Sequence, residues 1–165
     1  MWIDIYTDGG CSGNPGPGGW AYAIYANSEA EEGSGAGKFI AENWGAESHT
    51  TNNRMELEAV IAALDALQNF AFKPEKLNVY TDSQYVQKGI SIWVNDWKKR
   101  GWKTLDKKPV KNQDLWQRLD SIASFYKNEA MIPVNWIWVK GHAGNEYNER
   151  CDELTQIAIA SVQLS

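Results

Sequence analysis

The sequence predicts an α/β fold built on a mixed β-sheet, and three observations carry that prediction. Ile3, Ile5 and Thr7 alternate with Asp4, Tyr6 and Asp8, the period of a half-buried strand. Between residues 53 and 70 the period becomes helical, with Leu57, Val60, Ile61, Leu64 and Leu67 forming one apolar stripe. From Leu77 onward strands and helices alternate, which sets parallel pairs beside an antiparallel opening. At 165 residues the chain is expected to form a single domain, 1–165, with room for a real core.

The first strand is expected to end at Asp8, because the run Gly9 to Gly19 reads as an irregular loop. A carboxylate at a strand's end beside glycine is a common way to present a catalytic group, although Asp-Gly is also ordinary turn chemistry. Trp20 to Tyr25 and Lys38 to Trp44 continue as strands, completing an antiparallel meander. The link Asn27 to Gly37, rich in Glu, Ser, Gly and Ala, is expected to be a surface hairpin without chemistry. In the first helix Glu56 lies at the edge of the apolar stripe and can lean toward the sheet. Its plainer explanation is a capping box over Asn53 to Glu56.

The next strand ends Tyr80-Thr81-Asp82-Ser83, an echo of Tyr6-Thr7-Asp8-Gly9. A helix follows with Val86, Ile90, Trp93 and Trp97 on one side; here Asp82 and Ser83 also fit a helix N-cap, and the tryptophans also fit core packing. Asn112 is expected to cap a helix burying Leu115, Trp116, Leu119, Ile122 and Tyr126. Val134 to Val139 forms a strand, Lys140 to Asn145 a loop carrying His142, and a last helix starts near Asn148 with Cys151, Leu154 and Ala158 inward. Asp152 falls in its first turn, where an acid ordinarily complements the helix dipole.

Composition narrows the partners. A net charge of −5 argues against indiscriminate coating of nucleic acid. Seven of the sixteen basic residues nevertheless lie between Lys98 and Lys111 (Lys98, Lys99, Arg100, Lys103, Lys107, Lys108 and Lys111), against one acid, Asp106. Such a patch suits a polyanion held at one place. No apolar run crosses a membrane and no signal segment opens the chain, so a cytoplasmic protein is expected. Cys11 and Cys151 are expected to be free thiols, and His49 and His142 form no zinc spacing.

If the strand ends share one edge of the sheet, Asp8, Glu56, Asp82 and Asp152 converge. Clustered carboxylates call for a cation, and an all-oxygen set suits Mg²⁺ or Mn²⁺. Two such ions flanking a phosphate would activate water and stabilise the leaving oxygen.

Six ordered motifs run through the chain: Thr7-Asp8-Gly9, Thr51 to Leu57, Thr81 to Val86, Trp97 to Lys103, Val139 to Gly144 and Asn148 to Leu154. In this order they resemble the bacterial type 1 ribonuclease H over nearly the whole chain. The resemblance implies a ribonuclease H-like, five-stranded mixed sheet in the order 3-2-1-4-5 with helices on both faces. It implies cleavage of the RNA strand of an RNA/DNA hybrid, leaving 5′-phosphate and 3′-hydroxyl ends; a monomer is expected. Asp8, Glu56, Asp82 and Asp152 would hold two Mg²⁺ ions, with Mn²⁺ as a substitute, and His142 would assist proton transfer or product release. Asn14, Asn52 and Gln84 match positions lining the RNA strand, whose 2′-hydroxyl suits amide readers. Trp93, Trp97, Lys98 and Lys99 would follow the DNA strand, and Thr51 and Asn112 would form a DNA-phosphate pocket. The chain departs from the pattern at His49, where the family often has arginine, and in the acidic segment Asn27 to Glu47. A polynucleotidyl transferase of integrase type and a non-catalytic hybrid-binding module are the rival readings; the basic tract speaks against the first and the four carboxylates against the second.

Overall fold

The structure is a computed structural model describing residues 1–29, 37–71, 73–141 and 145–164. Five strands form one sheet in the order β3-β2-β1-β4-β5. They are β1 (Trp2–Cys11), β2 (Gly16–Asn27), β3 (Lys38–Thr50), β4 (Leu77–Thr81) and β5 (Val134–Trp138). The first three pair antiparallel, and β1, β4 and β5 pair parallel. The expected fold, with its strand order, is thus the observed one.

The glycine-rich run corrects the expected loop. β1 continues through Gly9 and Gly10 to Cys11, and β2 begins at Gly16, so only residues 12–15 leave the sheet. Glycine is ordinarily poor in strands. Here its missing side chain admits helices onto the sheet. A Cβ on Gly9 would lie 2.4 Å from the Met55 carbonyl carbon, and one on Gly19 would lie 2.6 Å from Ala158 Cβ. β3 likewise runs past the predicted Trp44 to Thr50. The predicted hairpin link falls largely on residues 30–36, outside the described residues.

Helix α1 (Asn52–Leu67) buries the predicted stripe against β1 and β2. A second helical stretch comprises α2 (Gln84–Lys88), a π-helical turn (Gly89–Trp93) and α3 (Val94–Lys99). The π-turn passes over Trp116: a Cβ on Gly89 would fall 2.0 Å from its ring. Next comes α4 (Gln113–Ser124), extended by a π-turn (Phe125–Glu129). Tyr126 on that turn is buried and donates to the Leu64 carbonyl at 2.7 Å, tying it to α1.

The main core lies between one face of the sheet and helices α1 and α4, and includes Ile3, Ile5, Ile24, Leu57, Leu77, Val79 and Trp116. The last helix, α5 (Glu146–Gln163), covers β1, β2 and β3 on the other face, where Tyr6, Ala23, Tyr25 and Cys151 cluster. Both cysteines are free thiols. Arg150 of α5 makes two hydrogen bonds, of 2.8 and 3.1 Å, to Glu42 of β3. The acidic segment that departs from the family pattern therefore includes a strand that clamps α5. No helix among the described residues is long and apolar enough to cross a membrane.

Candidate active site

Register explains why two aspartates meet. The β1–β4 ladder ends at Tyr6 opposite Tyr80, and Thr7 Oγ1 donates to the Tyr80 carbonyl at 3.1 Å. Asp8 and Asp82 each stand two residues beyond that last pair, at the same sheet edge. Asp8 is not at the end of its strand, as the sequence suggests: β1 continues along β2, beyond the reach of β4. Asp82 does follow the end of β4, and its neighbour Ser83 caps α2, accepting from the Val86 amide at 3.1 Å. Ser83 thus takes the capping role, and Asp82 is not required for it. The Asp82 carbonyl accepts from Trp138 Nε1 at 3.0 Å, which anchors its backbone to β5.

Glu56 reaches the same edge from α1. The helix starts earlier than a capping box at Asn53 would require: Thr51 is the N-cap, accepting from the Arg54 amide at 3.3 Å. Glu56 is therefore in the second turn, too far along to cap, and it is buried. One carboxylate oxygen each from Asp8, Glu56 and Asp82 lie within 4.8 Å of one another. Glu56 Oε2 is buried with no hydrogen-bond partner.

A buried carboxylate oxygen without a partner is costly, and a bound cation is one group that would satisfy it. Burial, and then the charge of Asp82, pushes the Asp8 carboxyl up to about 7. Burial, followed by the charges of Asp8 and Asp82, drives Glu56 well above the usual carboxylate range. These groups are strained without a counter-charge and fit an oxygen-ligated divalent ion.

Asp152 stands slightly apart. Because α5 begins at Glu146 behind the N-cap Asn145, Asp152 lies in the second turn and not the first, half-buried. It is not among the three mutually close carboxylates, although its charge contributes to raising Asp8. His142 lies outside the described residues. Gly141, just before it, is packed on the site: a Cβ there would sit 3.1 Å from Asp82 Oδ2.

Of the predicted substrate residues, Asn14 and Asn52 are joined. The Asn52 amide donates to Asn14 Oδ1 at 3.2 Å, and the Cys11 amide donates to Asn52 Oδ1 at 2.7 Å. Gln84 is exposed on the first turn of α2. Trp93 and Trp97 are half-buried with ring centroids 6.0 Å apart, and Trp97 meets the buried Trp116 edge-on at 5.4 Å. Both tryptophans keep part of their surface open while Trp97 also packs on the core. Lys99 is exposed, but Lys98 pairs with Asp120 of α4 at 3.2 Å.

The basic tract after α3 is ordered. Its base is pinned by Trp102 N donating to the Trp97 carbonyl at 2.7 Å and Val110 N to the Trp102 carbonyl at 3.1 Å. Asn112 occupies the N-cap position of α4 with φ 60°, but its side chain does not cap. That side chain turns instead to Arg54 and Tyr85. Arg54 escapes sequence reasoning, its only signal being its place beside Thr51 and Asn52.

A family model described as RNase H matches residues 2–160. The "Ribonuclease H" of Treponema denticola is 54% identical over 164 residues, covering 93% of this chain and 94% of the relative. That of Chromobacterium violaceum is 53% identical over 161 residues, covering 97% and 96%. Among solved structures, LC9-RNase H1, described as a type 1 RNase H with the type 2 active-site motif, superposes with a TM-score of 0.79 at 33% identity, covering 97% of this chain and 72% of that one. LC11-RNase H1 in complex with an RNA/DNA hybrid gives 0.68 at 29% identity, covering 99% of each. On this agreement, which runs from the first strand to the last helix, the chain belongs to the ribonuclease H family of endoribonucleases.

Proposed function

We propose that the chain hydrolyses the RNA strand of RNA/DNA hybrids by two-metal-ion catalysis, leaving 5′-phosphate and 3′-hydroxyl ends. The observation that carries this reading is the convergence of carboxylate oxygens of Asp8, Glu56 and Asp82, from three separate elements, within 4.8 Å of one another. Asp8, Glu56, Asp82 and Asp152 would hold the metals. Divalent ions bound there, Mg²⁺ or Mn²⁺, supply a nucleophilic water at neutral pH and charge stabilisation for the leaving oxygen.

The remaining chemistry is the chain's own. Asn14, Asn52 and Gln84 present amides to the RNA strand, where a 2′-hydroxyl both donates and accepts. Trp93 and Trp97 offer ring surface to the DNA strand, and Lys99, with Lys103 from the ordered basic tract, meets its phosphates. Lys98 would divide its charge between them and Asp120. Thr51 and Asn112 receive one DNA phosphate. His142, next in sequence to the Gly141 that abuts Asp82, handles a proton or aids release of product. The reading is completed by a monomeric enzyme working as a single domain in the cytoplasm.

The test is cleavage of one sequence prepared as RNA/DNA, RNA/RNA and DNA/DNA, with Mg²⁺ and with chelator. Only the hybrid is expected to be cut, in its RNA strand, and only with metal. Cutting under chelation, or equal cutting of all three, contradicts the proposal; tight binding without cutting would make the chain a hybrid-binding module.

A further inference from the structure

Arg54 stands where three elements meet: the start of α1, the turn before α4 and α2. Its guanidinium grips Asp114 through two hydrogen bonds, of 3.0 and 2.7 Å. The same Nη1 donates to Asn112 Oδ1 at 3.4 Å. On its other side Asn112 donates from Nδ2 to the Tyr85 hydroxyl at 3.1 Å, and Trp116 Nε1 donates to that hydroxyl at 2.9 Å. The Arg54 backbone amide, finally, donates to Thr51 Oγ1.

These contacts decide what Thr51 and Asn112 offer to solvent. An amide side chain presents either an acceptor or two donors. With Oδ1 turned to the guanidinium, the Asn112 acceptor is used and one Nδ2 hydrogen goes to Tyr85, so the second remains for a ligand. Thr51 Oγ1 accepts from the helix amide, so its hydroxyl hydrogen is likewise left to donate. Two remaining donors, on residues that both touch Arg54 and are both part-exposed, suit an anionic oxygen. The arginine's own charge is matched by Asp114, and its planar fork is set by two acceptors, a task that the point charge of a lysine does not perform.

We propose that Arg54 is a positioning residue that fixes the donor face of Asn112 toward a phosphate of the DNA strand, and that Asp114 holds Arg54 in that pose. The inference rests on the phosphate pocket of Thr51 and Asn112 proposed above. It also accounts for the presence of Asp114 beside a surface proposed to meet a polyanion, where electrostatics alone would disfavour it.

The experiment measures binding of uncut hybrid to Asp8→Asn protein, with single neutral methylphosphonates placed in turn along the DNA strand. In the Arg54-containing protein one position is expected to weaken binding by about tenfold, the scale of a hydrogen bond to a charged group. Adding Arg54→Lys or Asp114→Asn should reduce that penalty to within about twofold, while penalties at other positions stay as they were. A merely structural arginine would lower thermal stability without erasing one position selectively. An undiminished penalty in both variants overturns the proposal, as does tighter binding by Asp114→Asn with the penalty intact. If no position is sensitive even with Arg54 present, the pocket itself is wrong and Arg54's role falls with it.

Discussion

Gly9 lies directly against the backbone of Glu56: a Cβ on Gly9 would sit 2.5 Å from the Glu56 amide nitrogen. The strand that carries Asp8 and the helix that carries Glu56 are thus in contact at the residues next to the acids themselves. The spacing of the site follows from a missing side chain.

Gly9→Ala should therefore damage both stability and activity. The added methyl meets backbone, which cannot turn aside as a flexible side chain does, so α1 must shift. Overpacking of this kind costs about 1–3 kcal/mol. Thermal melting and Mg²⁺-dependent turnover check this, and an unchanged melt with unchanged turnover would show that the helix yields freely.

Asp82→Asn should raise the stability of the metal-free protein. At about 4 Å and an effective dielectric near 20, two carboxylates repel by roughly 4 kcal/mol, much of it relieved by proton uptake, which leaves a gain of about 1 kcal/mol at neutral pH. The pH dependence has a definite sign. Asp8 rises from 3.8 to about 7 on folding, so its protonation favours the native state, fully at acid pH and progressively less as pH climbs through 7. Glu56 is raised in the same sense. Under chelation, then, the advantage of Asp82→Asn over the parent should be small near pH 4 and grow toward pH 8. Saturating Mg²⁺ should narrow or reverse it, because only the parent offers every ligand. Melts across that range, with and without Mg²⁺, decide; a variant less stable under chelation at pH 8 would mean that Asp82's hydrogen bonds outweigh the repulsion.

Removing Lys99 and Lys103 should flatten the slope of log K against log salt for hybrid binding by about 2 units, near 0.9 per lost phosphate contact. Lys98→Ala should change the slope less than Lys99→Ala, since Lys98 is already paired with Asp120. Binding isotherms at several salt concentrations test this, and equal effects of the two single changes would show that Lys98 leaves its partner.

Strand and helix periods make the mixed sheet legible in the sequence alone, and the family resemblance that the six motifs carry supplies its strand order and its candidate carboxylates. The glycine run misleads because local propensity penalises glycine in a strand, whereas Gly9 and Gly19 are demanded by helices that arrive from distant sequence. For Glu56 and Asp152 the local patterns of cap and helix dipole are the wrong guide: Thr51 and Asn145 begin their helices a few residues earlier, which moves both acids into second turns. Arg54 and Lys98 are opaque because their partners, Asn112, Asp114 and Asp120, are far away in the chain. No pattern within a helix announces them.

If the carboxylates hold metal for cleavage and take no part in gripping the hybrid, as proposed, turnover and affinity are separable. Asp8→Asn is the variant that separates them, with both quantities measured on the same preparation in Mg²⁺. Cleavage should disappear while affinity stays within a few-fold of the parent, because the phosphate contacts remain. Near-normal turnover by Asp8→Asn would contradict the assignment of these acids to the metals.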